Sequence, residues 1–169
     1  MTLAWYFAKE DKKLRYGDGR KIVVGKSHLH RGDPVLCESG LHASVNILDA
    51  LSFAPGPILY RVKLGGRMVA CSDKVASTKR TYLSEMDAAT LLIDFARKCA
   101  LDVAHLWAAP DVVRVYLESG REDLRDAARA AARDAAWVAA RDPGRAAAWD
   151  AQNTRLTEMA LSAMGLEEK

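Results

Sequence analysis

Apolar residues fall in short runs separated by turn residues through the first half of the chain, and beyond it the spacing becomes helical. Leu3–Ala8 (LAWYFA) is a compact apolar run rich in aromatic residues and predicts a strand. Lys21–Val24 (KIVV) predicts a second short strand and Val35–Cys37 a third. Tyr16-Gly17-Asp18-Gly19 and Gly32-Asp33-Pro34 read as turns. Ser44 or Asn46 caps a short helix to about Phe53, with Leu51 inward together with Ile47 or with Val45 and Leu48. Ala54-Pro55-Gly56-Pro57 ends it. Ile58–Leu64 alternates apolar and polar residues from Leu59 on and is the clearest strand. Gly65-Gly66 resembles a hairpin turn into Arg67–Cys71.

From Ser84 the pattern turns helical. Ser84 with Asp87 resembles a variant capping box. Leu91, Leu92, Phe95, Cys99 and Val103 follow at helical spacing. Pro110 suits the first turn of another helix, continued by Val112, Val113, Tyr116 and Leu117 and stopped at Ser119-Gly120.

Composition shifts at Gly120. Of the 31 residues Arg121–Ala151, 13 are alanine, the best helix former. From Asp126 the chain parses in fours: DAAR, AAAR, DAAW, VAAR, DPGR, AAAW, DAQN. Four residues advance a helix by about 400°, so the fourth-position stripe drifts and Trp137 and Trp149 do not share a face. Asp142-Pro143-Gly144 divides the tail into two helices of about six turns each, with Leu156, Met159, Leu161 and Met164 as the apolar end of the second. An isolated alanine-rich helix is marginal in water, so the tail must pack on itself, on the first module or on a partner. The expected architecture is α+β: a β-rich module with a small, mostly antiparallel sheet and a short helix over residues 1–83, helices packed on it over 84–120, and an Ala-rich helical tail over 121–169.

Length, composition and charge narrow the function classes. The chain has 169 residues, 50% hydrophobic and 28% charged, which excludes wholesale disorder. No apolar run reaches the roughly 18 residues of a membrane span. The N-terminal residues place charge after the apolar stretch, the wrong order for a signal peptide. Three scattered cysteines form no disulfide framework, so a cytoplasmic location is expected. Net charge is +3, too mild for a dedicated nucleic-acid binder and the wrong sign for a DNA mimic. The basic residues concentrate in residues 1–31, an arm of +5.

Several residues could carry chemistry. His28, His30, Cys37 and His42 are metal-ligating types, but H-x-H-x6-C-x4-H matches no zinc ribbon or finger, and no metal is expected. A thiol nucleophile would need Cys37 or Cys99 beside His42 or His105. Ser39 lacks the G-x-S-x-G context of a hydrolase. Lys74, Lys79 and Arg80 read as a basic loop that a phosphate or nucleic acid could contact. Arg129, Arg133, Trp137, Arg141, Arg145 and Trp149 form either a partner-binding surface or a helix–helix seam whose arginines pair with Asp126, Asp134 and Asp142.

The segment Leu36–Leu64, LCESGLHASVNILDALSFAPGPILYRVKL, resembles an uncharacterised phage and bacterial domain family with the signature LCE-x-GLHAS, DAL, PGPI, and the resemblance continues through CALDVAHLW and DVVRVYLESG. It implies phage or prophage origin and no established activity. Gly40–Ser44, a short helix and ILYRVKLGG are also similar to the ADP-ribosyltransferase scaffold. That similarity implies NAD as cofactor, with Tyr6, His42, Ser44 and Glu85 as the corresponding site residues. The first strand lacks that family's ribose-holding histidine, and His42 stands where its stacking aromatic would be.

The leading expectation is a non-enzymatic interaction protein of phage or mobile-element origin. It would bind a host or phage protein complex, with inhibition of a host defence system, of anti-CRISPR type, as one form of that role. Its warrant is the absence of a coherent catalytic set. The alternative is an ADP-ribosyltransferase-like, NAD-using enzyme; the third is a nucleic-acid-binding accessory protein. A second copy of the chain is a further candidate partner for the alanine-rich tail.

Overall fold

A computed structural model describes residues 2–106, 109–136 and 145–167. The chain is α+β; among the described residues it has a five-stranded antiparallel sheet and five α-helices. Two compact units divide it, residues 1–89 with Asn153–Lys169, and Thr90–Gln152.

The first unit holds the sheet. β1 (Thr2–Ala8) pairs with β4 (Ile58–Ala70), and β4 pairs with β5 (Val75–Asp87). On its far side β5 carries two short strands, β2 (Ser27–Leu29) and β3 (Leu41–Ala43). Side chains alternate across a strand, so Tyr60, Val62 and Leu64 share one face with Ala4 and Tyr82, and all five are buried. Trp5, Phe7 and Leu59 point the other way and are also buried. α1 (Ile47–Ser52) packs on β1 through this side of the module, with Ile47 and Leu48 buried.

Several expected elements move. Lys21–Val24 is not a strand: Gly25 sits at φ 82° and only Lys21 bridges, to Lys13, so pairing with β5 begins at Ser27. Val35–Cys37 is a tight turn closed by a Val35–Ser39 bridge, with Cys37 itself at φ 65°. Gly65-Gly66 is not a hairpin turn. It is an irregularity inside β4, where the register shifts between Gly65 and Met68, and the chain reverses after Cys71. Lys74–Arg80 is therefore the turn and first half of β5, not a solvated loop. Ser84 and Asp87 belong to β5, opposite Arg61 and Ile58, so they form no capping box. Asp87 Oδ1 instead accepts the Ala89 N–H (2.9 Å), at the start of α2. Val45 is exposed, so Ile47 and Leu48 make the inward face of α1.

The final turns of α5 (Arg145–Ala163) belong to the first unit. Leu156, Ala160 and Leu161 are buried there, and Asn153 Oδ1 accepts the Leu48 N–H at 3.3 Å. That N–H lies in the first turn of α1 and has no partner within its own helix.

The second unit contains α2 (Ala89–Asp102) from Thr90 on, α3 (Asp111–Ser119) and α4 (Arg125–Ala136). Val113 and Leu117 of α3 bury against Ala128 of α4, whose small side chains allow close approach. Gly120 ends α3 in the left-handed conformation, φ 66°, as its position after Ser119 predicts. Pro110 precedes the first helical residue instead of occupying it. Among the described residues α4 spans 12 residues and α5 spans 19, against the roughly six turns expected of each. Trp137, Arg141 and the Asp142-Pro143-Gly144 break lie outside the described residues, as do the side chains of Arg133, Asp134 and Arg145.

Candidate functional site

A cleft of about 660 Å³ opens on the first unit. Trp5 and Tyr6 of β1, the 37–44 segment, the Leu14–Asp18 turn, Phe53 and Lys74 line it, and Tyr16 and Phe53 are the exposed rings among them.

Arg80 is the central group. It is only 2% exposed, yet it lines the cleft. Alternation along β5 sends Arg80 and Tyr82 to the same face. The guanidinium lies over the Tyr6 ring, 3.7 Å from its centroid, and at 5.2 Å from that of Tyr82. Nε donates to the Tyr82 hydroxyl at 3.0 Å, and Nη1 donates to the His42 carbonyl oxygen. Among the described residues, Nη2 makes no hydrogen bond and no carboxylate forms an ion pair with this cation. A buried charge is costly unless something compensates it. Aromatic faces and a carbonyl supply part of that compensation here.

Tyr82 joins Arg80 to a row of rings. His28 and Tyr82 meet edge to face at 5.3 Å, Tyr82 and Tyr60 at 5.4 Å, and Tyr60 lies 6.4 Å from Tyr6. Burial holds the Tyr82 hydroxyl above its ordinary value. Burial first, and then the nearby Glu85 carboxylate, also push the Tyr60 hydroxyl up. Both phenols therefore stay protonated. Glu85 is held low by the Lys12 ammonium, 2.7 Å away.

His42 fastens the 36–40 turn. Its Nε2 accepts the Cys37 N–H (3.1 Å), and its Nδ1 lies 3.2 Å from the Gly40 carbonyl oxygen. A carbonyl only accepts, so Nδ1 carries the proton. Burial keeps the ring neutral by lowering its pKa. Cys37 and His42 are thus neighbours as the thiol reading requires, but the contact runs through the Cys37 backbone and leaves the ring no nitrogen for the thiol. Cys99 is half-buried and His105 exposed, both in the second unit.

Of the four residues suggested by the transferase similarity, Tyr6, His42 and Ser44 line the cleft. Ser44 does so while its backbone exchanges two hydrogen bonds with Trp5 (2.7 and 3.0 Å). Glu85 does not line it: it stands opposite Tyr60 in the β4–β5 register and its carboxylate accepts from the Lys12 ammonium. His28 points to Tyr82, while His30 reaches the cleft lining. Among the described residues, no three His, Cys, Asp or Glu side chains gather as a metal site. Lys74 also reaches the cleft, whereas Lys79 is exposed on β5. Arg129 and Trp149 are exposed in the second unit. Ser39 has its hydroxyl bound to the Asp33 carbonyl oxygen, 3.1 Å.

Sequence reasoning missed Trp5, Tyr16 and Phe53 as cleft residues, and it placed Arg80, its candidate phosphate contact, on a loop instead of a strand. The available signal was alternation in KVASTKRTYL, which reads equally well as a strand with Arg80 and Tyr82 on one face.

No curated protein and no solved structure matches the chain. The profile of the family described as "Domain of unknown function (DUF7666)" matches residues 9–94, from the end of β1 into α2. The match takes in most of the cleft wall, Arg80 and the His42 turn, and it spans just over half of the 169 residues. The chain belongs to that family.

Proposed function

We propose that the first unit is a binding module whose cleft receives a small anionic ligand, with Arg80 as its counter-charge. The observation that carries this reading is a buried guanidinium with no carboxylate partner among the described residues and one nitrogen free to bond, lining an open cleft. A phosphate or carboxylate entering there would replace the missing partner through charge-assisted hydrogen bonds. NAD, the ligand implied by the transferase similarity, carries such groups. The module binds without catalysing: both ring nitrogens of His42 are engaged by backbone, and the Glu85 carboxylate is engaged by Lys12, so neither is placed to move a proton.

Titration of the full chain with inorganic phosphate and with NAD at low ionic strength, read by thermal unfolding, tests the proposal. Saturable stabilisation is expected, absent with chloride at equal ionic strength and absent in Arg80→Met. A melting temperature that neither ligand raises would overturn it.

A second reading is the partner-binding one, an interaction protein of phage or mobile-element origin. It is favoured by Trp149, 42% exposed on α5, because exposed tryptophan is enriched at interface hot spots. It predicts that Trp149→Ala abolishes capture of a demonstrated protein partner while leaving phosphate binding intact.

A further inference from the structure

Three cations line the cleft, and each rests on an aromatic ring. Arg80 covers Tyr6 at 3.7 Å, Lys74 covers Phe53 at 4.1 Å, and Arg15 covers Tyr16 at 4.8 Å. Tyr16 is the outlier among these rings. It is 93% exposed, although a tyrosine gains most by burial. Its backbone is left-handed, φ 59°, in a turn that also holds Gly17 at 80° and Gly19 at 65°. Glycine would relax that position, whereas a side chain there stores strain. The turn itself is well fixed. Leu14 N–H donates to the Arg20 carbonyl, and Arg20 clasps Asp18 at 2.6 and 2.7 Å. A strained, fully presented aromatic on a fixed turn, at the mouth of a cleft with a buried cation, is built to meet a second ring.

From this we infer that the ligand is a nucleoside phosphate, with its base stacked on Tyr16 at the mouth and its phosphate directed to Arg80. The inference rests on the anion-binding reading above and adds the ring. Stacking on an exposed aromatic tolerates any base, because every base has a π face. Arg15 and Lys74, the latter 3.8 Å from Asp73, add two further cations to the lining, against the acids Glu38 and Asp18. Asp18, the acid beside Tyr16, is already neutralised by Arg20.

The test compares AMP, ribose 5-phosphate and inorganic phosphate on the full chain by isothermal titration calorimetry. AMP is expected to bind at least about tenfold more tightly than ribose 5-phosphate. Tyr16→Ala should bring AMP to the affinity of ribose 5-phosphate and leave the latter unchanged. Tyr16→Gly gives a second readout. It should raise the melting temperature by releasing the φ strain, and still lose the preference for AMP. Equal affinity of AMP and ribose 5-phosphate, or wild-type AMP affinity in Tyr16→Gly, would overturn the inference while leaving the anion site standing. No binding of any of the three would remove both. Tighter binding of a 5′-phosphorylated dinucleotide than of AMP would support the inference with a nucleic-acid end as the source. The reverse order supports it with a free nucleotide.

Discussion

Arg80 Nε lies 3.0 Å from the Tyr82 hydroxyl oxygen, and that hydroxyl lies 3.0 Å from His28 Nδ1. A guanidinium only donates, so the Tyr82 oxygen accepts from Arg80, and its own proton is expected to go to His28 Nδ1, a ring that burial disfavours as the cation. His28 is then neutral with its proton on Nε2, the opposite tautomer to His42. Nitrogen-15 chemical shifts of the two rings at pH 7.5 are expected to show one of each tautomer. Two rings with the same tautomer would break this assignment.

The two histidines also set an acid limit. Burial lowers the pKa of both in the folded state. A histidine with a depressed folded pKa contributes stability above its unfolded value of about 6.5, and loses it as pH falls below. The melting temperature should therefore hold from pH 8 to 7 and decline as pH falls below about 6.5 toward the carboxylate range. Asp18 and Glu85, held low by Arg20 and Lys12, keep their contribution through that window and lose it only below their ordinary values of 3.8 and 4.5. A His42→Asn variant should flatten the decline. An unchanged slope would show that protonation of this ring does not loosen the 36–40 turn.

Arg80→Met keeps the bulk against Tyr6 but leaves the His42 carbonyl without its side-chain donor and the Tyr82 hydroxyl without one of its two partners. A cost of about 1–3 kcal/mol is expected in urea unfolding, with the fold retained. No carboxylate is orphaned, since none of the described ones pairs with Arg80. Arg80→Lys should fare no better, because an ammonium cannot reproduce the fork that reaches both acceptors.

Gly40 closes the His42 turn at φ 100°. A Cβ there would stand 3.0 Å from Pro34 Cβ and 3.3 Å from its Cα. Gly40→Ala is expected to cost about 1–3 kcal/mol and to weaken phosphate binding, since the same turn forms a cleft wall. Unchanged urea unfolding would show that Pro34 yields freely.

The end of α5 completes the first unit from far along the chain. Leu156 is fully buried, so Leu156→Ala should cost about 2–5 kcal/mol. A chain ending at Gln152 should lose cooperative unfolding of the sheet unit, because it also removes the Asn153 oxygen that receives the Leu48 N–H. Retention of a sharp transition would show that residues 1–89 suffice.

Local pattern alone determined a good deal. LAWYFA declares a strand through its compact run of aromatic residues, ILYRVKL through its alternation of apolar and polar positions, and Ser119-Gly120 declares a stop because only glycine enters the left-handed region freely. The α+β class and the alanine-rich helices follow from the same local preferences. What the tertiary structure decided was every feature that depends on a distant partner. Lys21–Val24 has strand composition, yet the turn at Gly25 passes the pairing to Ser27–Leu29. Gly65-Gly66 has the composition of a turn, yet β5 pairs through it and makes it an irregularity in a long strand. Arg80 has the look of a surface cation, and the register of β5 opposite β2 and β4 buries it against Tyr6 and Tyr82. The cleft joins residues from Trp5 to Arg80 that share no local motif. Pattern within a segment fixes its own backbone preference, whereas burial, register and the meeting of charges with rings are properties of the sheet that several segments build together.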